Sequence, residues 1–219
     1  MQRKSAFTIL ELVFVIVIIG ILAAILIPRM QTSRMQEAAD QIVSHIRYTQ
    51  HLAMQDDKFN PNDTNWFKQR WQIFFANTAG SGNSWSYMIF SDSAKGVTGT
   101  PDRSEHARNP LDSSKYLSGG YSAGNIAHDS KDATKEMNLG KSYGITSVLF
   151  GGGCTIGIRQ QRLYFDYLGR PFYGNPNLQN SPYDTNRIIK ARCTITIIND
   201  AGENRVIIIE PETGYAFVQ

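Results

Sequence analysis

The hydrophobic pattern divides the chain into three stretches. Residues 7–27, FTILELVFVIVIIGILAAILI, are apolar almost without interruption. As an α-helix they rise about 31 Å, enough to cross a bilayer core. Beyond Pro28 the pattern becomes periodic. Met35, Ala39, Ile42, Ile46 and Ala53 recur at three-, four- and seven-residue steps with Ala38 and Val43 beside them, while Gln36, Asp40, Gln41 and Arg47 fill the other faces. That spacing predicts an amphipathic helix over residues 28–54, stopped by Asn60-Pro61. Because the helical pattern resumes after Pro28, the proline bends a continuing rod and does not end it.

From about residue 60 the period changes to that of strands. Runs at 71–76 and 84–90 flank Gly80-Ser81-Gly82-Asn83, a hairpin signal, and 147–150, 155–158 and 162–165 are short β-like runs. Residues 193–198 and 205–209 flank Asn199-Asp200-Ala201-Gly202, and 215–218 close the chain. About eight short strands behind one long helix predict an α+β fold: a long N-terminal helix packed on an antiparallel, β-sandwich-like body over 55–219. Between about 92 and 145 the chain is rich in Ser, Gly, Asp and Lys. This polar insertion reads first as disorder or a solvated excursion, and second as a partner-binding loop.

Composition adds an asymmetry of charge. The formal net charge is +3, and without Arg3 and Lys4 it falls to +1. A body so near neutrality argues against a dedicated nucleic-acid binder, which needs a basic face. Arg3 and Lys4 precede the apolar run, and the short leader side is cytoplasmic by length. A removable secretory signal does not fit. The run is too long, Ala23-Ala24 leads into more aliphatics, and the small residue Ala6 stands before the run.

Glu11 is the anomaly. An ionisable side chain inside a span costs a few kcal/mol near the centre and marks a functional position by default. No catalytic constellation accompanies it: His45, His51, His106 and His128 have no ligand spacing, and no nucleophile elbow or phosphate loop occurs. The acidic stretch from Asp56 to Asp63 lacks the glycine and terminal Glu of a calcium loop, and Gly151-Gly152-Gly153 reads as a turn. Cys154 and Cys193 have no zinc-type spacing. In an oxidising compartment they pair, for about 4 kcal/mol in the chain-entropy account. Otherwise they are two buried thiols. No metal or cofactor is implied.

Lys4-Ser5-Ala6-Phe7-Thr8-Ile9-Leu10-Glu11 resembles the class III leader junction of type IV pilins and type II secretion pseudopilins. The resemblance implies a leader over 1–6, cleavage by a prepilin peptidase between Ala6 and Phe7, and N-methylation of Phe7. It also implies that Glu11, then the fifth mature residue, meets the N-terminal amine at Phe7 of a neighbouring subunit. In lipid such a pairing relieves two desolvation penalties. Ala6 departs from the family's usual Gly. Pro28 matches a proline common in pilins, and the half-embedded, half-packed helix is the pilin design.

Two late segments, 165–171 and 209–214, resemble strand–turn phrases of H-type minor pseudopilins and T-type minor pilins. Asp166 and Arg170 are placed to pair across the first of these turns. The family then implies an inner-membrane protein with its N-terminus cytoplasmic and its body periplasmic. Its partners are other pseudopilins or pilins, the assembly platform and exported proteins.

The leading expectation is a minor pseudopilin at or near the tip of a type II secretion pseudopilus. A minor type IV pilin that primes assembly or takes up DNA is the alternative, with Arg159, Arg162, Arg170, Arg187, Lys190 and Arg192 as candidate contacts. A membrane-tethered periplasmic enzyme is the reading from another class, and it leaves Glu11 unexplained.

Overall fold

The computed structural model describes residues 9–93, 98–122, 125–155 and 161–219, with the side chains of 23–33 outside the described set. One helix, α1 (Ile9–Gln55), leads into the body. Its second half owes its place to the predicted stripe: Met35, Ala38, Ala39, Ile42, Val43, Ile46 and Ala53 are all buried. Small and branched side chains at i, i+3, i+4 and i+7 give a narrow apolar seam that packs closely on a sheet.

The body follows in chain order as β1 (Gln72–Thr78), β2 (Ser84–Phe90), β3 (Arg108–Asn109), β4 (Asp112–Tyr116), the short helix α2 (Leu139–Tyr143), β5 (Ile145–Gly152), β6 (Arg162–Phe165), β7 (Pro171–Tyr173), β8 (Cys193–Asn199), β9 (Asn204–Ile209) and β10 (Ala216–Val218). Two four-stranded sheets run in the orders β2-β1-β6-β7 and β10-β9-β8-β5, antiparallel throughout, and β3-β4 is a separate hairpin. The architecture is α+β, with the helix on antiparallel sheets, as expected from the pattern. The expected hairpins at 71–90 and 193–209 are β1-β2 and β8-β9. The expected run at 155–158 falls largely outside the described residues.

Both sheets feed one core. Ile73, Phe75, Tyr87 and Ile89 of the first meet Ile195, Ile197, Ile207 and Ile209 of the second around the buried seam of α1. β8 shows how: its Cys-Thr-Ile-Thr-Ile-Ile-Asn run alternates buried and half-buried positions, one face in and one out. β1 does not alternate, because Gln72–Phe75 are buried on both faces. Its second face carries Phe74, packed with Met88, Phe90 and Tyr121.

The polar stretch 92–145 corrects the expectation of a disordered or solvated excursion. Its described part lies along the open edge of β2: Ile89 N donates to Leu117 O (3.0 Å), Ala107 N to Ile89 O (2.9 Å) and Gly119 N to Tyr87 O (3.0 Å). Leu117, Ile126, Met137 and Leu139 are fully buried. The segment shows no periodic pattern because backbone bonds and isolated buried side chains hold it. An uncovered edge invites pairing with another chain, and these loops remove it.

Cys154 and Cys193 form a disulfide, with Cα atoms 5.0 Å apart across 39 residues. The bond is local in space, because β5 and β8 already bring Gly152 opposite Cys193. Among the described residues no helix is long and apolar enough to cross a membrane. The expected span at 7–27 runs partly outside them, at 7–8 and in the side chains of 23–27.

Candidate functional site

The described side chains of α1 fall into an exposed group over 9–22 and a group from 34 onward that includes the buried seam. In the described part of its first half the aliphatic side chains stand in the open: Ile9 is 83% exposed, Phe14 67% and Ile19 59%. Glu11 lies two residues after Ile9, the first described residue of the helix. About 36 Å of helix separate it from Met35, the first buried side chain among the described residues of α1. Ala6 and Phe7, the expected cleavage and methylation positions, lie outside the described residues. Pro28 falls inside α1, which continues well past it, within the stretch whose side chains are not described.

The packed half of α1 carries polar side chains that fix it to the body. Tyr143 donates to Gln41 Oε1 (2.8 Å), Gln41 Nε2 donates to the Tyr87 hydroxyl (2.7 Å), and that hydroxyl is 2.7 Å from His45 Nδ1. A hydrogen-bonded chain results, running from Tyr143 through Gln41 and Tyr87 to His45. Burial holds His45 at about 4, below its ordinary 6.5, and pushes the Tyr143 phenol up to about 12. Further along, the Arg47 guanidinium donates to Ala216 O (2.7 and 3.2 Å), which blunts the outer edge of β10.

Gln50 joins the helix to both late turns. Its Nε2 donates to Gly169 O and to Thr213 O, each at 2.7 Å. The first turn is held from within by Asp166, whose carboxylate accepts from Leu168 N (3.1 Å), Arg170 N (2.9 Å) and the Arg170 guanidinium (2.7 Å). This is the pairing the spacing predicted. In the second turn Gly214 adopts φ 66°, and a Cβ there would come within 2.7 Å of Gln50 Nε2, so close approach requires glycine. Sequence inspection passed over Gln50. The available signal was its position four residues after Ile46 and three before Ala53, a polar residue inside an apolar stripe.

Of the basic candidates for nucleic-acid contact, Arg162 is buried, and Arg170 and Arg192 are paired with Asp166 and Glu210 at 2.7 Å each. Arg159 lies outside the described residues. Among the described residues no group of three or more His, Cys, Asp or Glu side chains is placed to hold a metal ion.

Residues 1–27 match the family model described as the prokaryotic N-terminal methylation motif. Comparison with curated proteins and with solved structures gives no match. The matched motif is prepilin-type. It supports a pilin-like or pseudopilin-like chain, implies processing by a prepilin peptidase and assembly with other pilins, and points to a structural role.

Proposed function

We propose that this chain is a minor pseudopilin of a type II secretion system, a structural subunit at or near the tip of a periplasmic pseudopilus that drives protein export. The observation that carries the proposal is the two-part helix: one continuous element, Ile9–Gln55, bare and apolar around Glu11 and buried in the body from Met35 onward. A helix with that division can sit in the inner membrane before assembly and against like helices afterwards. Residues 7–27 form the span, cleavage after Ala6 exposes Phe7 for methylation, and Glu11 meets the new amine of the neighbouring subunit.

Two features favour this reading. A disulfide fits an oxidising compartment, which agrees with a periplasmic body. The loops of 98–145 add bulk beside β2, which suits a subunit used once better than one repeated along a shaft. The buried or paired state of Arg162, Arg170 and Arg192 favours the secretion role over DNA uptake.

The deciding experiment deletes the gene and measures secretion of exoproteins beside twitching motility and DNA uptake. Loss of secretion alone is expected. Intact secretion with lost twitching or uptake would replace the proposal with a minor type IV pilin.

A further inference from the structure

The face of β1 turned away from α1 borders a cavity of about 490 Å³, walled in part by Phe74, Tyr121, Thr98, Thr100, Asn175 and Arg162. That volume is in the usual range of small-molecule sites, roughly 300–1,000 Å³. Arg162 sits opposite Phe74 in the β1–β6 register, with its guanidinium 3.7 Å from the centre of the Phe74 ring, and is 4% exposed.

Its hydrogen bonding is incomplete. Nη1 donates to Gln72 Oε1 at 3.1 Å, and Nε has no partner. Among the described residues no carboxylate lies within ion-pair distance of it. Asp92 acts on it only through space, its carboxylate being occupied by Thr98 N, Thr98 Oγ1 and Gly99 N. Burial brings the guanidinium down to about 10, so it remains a cation at neutral pH.

A buried cation with one neutral acceptor is expensive, and an anion beside it removes most of that expense. The other polar walls are hydroxyls and amides, which accept and donate without adding charge. The field of Asp92 opposes a second negative charge, so a monoanion suits the site better than a phosphate dianion. The half-buried ring of Tyr121, packed on Phe74 with centroids 5.8 Å apart, offers an aromatic surface to the body of the ligand.

We propose that this cavity binds the carboxylate of a small organic acid or of a peptide C-terminus, with Arg162 as its counter-ion. The guanidinium–carboxylate pair supplies charge-assisted hydrogen bonds, and loss of such a contact weakens binding by about tenfold or more.

The test is calorimetric titration of the full chain in detergent near neutral pH. The probes are N-acetylphenylalanine, its amide, and an alanyl-alanyl-phenylalanine tripeptide with a free or an amidated C-terminus. Both acids should bind at least about tenfold more tightly than their amides. A tripeptide acid tighter than N-acetylphenylalanine identifies a peptide C-terminus as the source, and equal affinities identify a small free acid. Arg162→Met should abolish the preference for acid over amide. Should that variant not fold, Ala76→Trp decides, because half-buried Ala76 shares the Phe74 face of β1 and lines the cavity, so a large ring there fills the space and leaves Arg162 in place. Failure of either acid to bind at millimolar concentration, equal binding of acid and amide, or unchanged affinity in the folded variant would overturn the proposal. None of these readouts depends on filament assembly, so the site and the pseudopilin role fail separately.

Discussion

Gln50 and Gly169 stand 119 residues apart in the chain, and the side-chain amide of the first donates to the carbonyl of the second at 2.7 Å. The same nitrogen reaches Thr213 O, so one side chain registers the helix against two turns from different sheets. Gln50→Ala should lower stability by about 1–2 kcal/mol, since each net hydrogen bond contributes about 1 kcal/mol. Gln50→Glu should cost more, because a carboxylate has no proton to give and faces two carbonyl oxygens. Thermal unfolding of the three proteins checks the order.

His45 makes stability depend on pH. Its value is about 4 in the folded chain and 6.5 ordinarily, so between these limits the unfolded chain binds more protons. Its contribution is therefore fully present above about 6.5 and is lost as pH falls towards 4, at up to about 1.4 kcal/mol per pH unit. His106, also held at about 4 by burial, acts with the same sign. Melting temperatures across that window should fall less steeply for His45→Gln than for the wild type, and parallel slopes would contradict the assignment.

The disulfide should stabilise the body by about 4 kcal/mol in the chain-entropy account. The double change Cys154→Ser and Cys193→Ser should lower the denaturation midpoint without altering the fold, since β5 and β8 pair along their whole length without it. Circular dichroism with denaturant titration separates the two effects.

Ile42 is fully buried on the seam of α1, and Ile42→Ala should cost about 2–5 kcal/mol. Glu11→Ala should leave body stability and membrane insertion unchanged and abolish incorporation into filaments. Fractionation and filament pull-down measure the two outcomes, and normal incorporation would refute the assembly role of Glu11.

Much of this was legible in the residues. The stripe from Met35 to Ala53 predicted the buried face of α1, because helical packing leaves a strong period. The hairpins at β1-β2 and β8-β9 were legible because Gly, Asn and Asp mark their turns. The segment 98–145 was not legible. It is held by backbone bonds to β2 and by single buried residues such as Leu117 and Ile126, and neither leaves a periodic trace. Gln50 and Arg162 were visible only as polar letters, since their partners lie far away in sequence and composition does not report distance.

The covering of α1 also orders events in time. The helix packs most heavily on β9 and β10, the last strands of the chain, and Arg47 waits for the carbonyl of Ala216, 169 residues later. The amphipathic half of the helix therefore emerges from the ribosome long before the surfaces that shelter it exist. Closing contacts of such long range is intrinsically slow. During that interval the seam from Met35 to Ala53 lacks its cover, and the body cannot finish folding before β9 and β10 have been made.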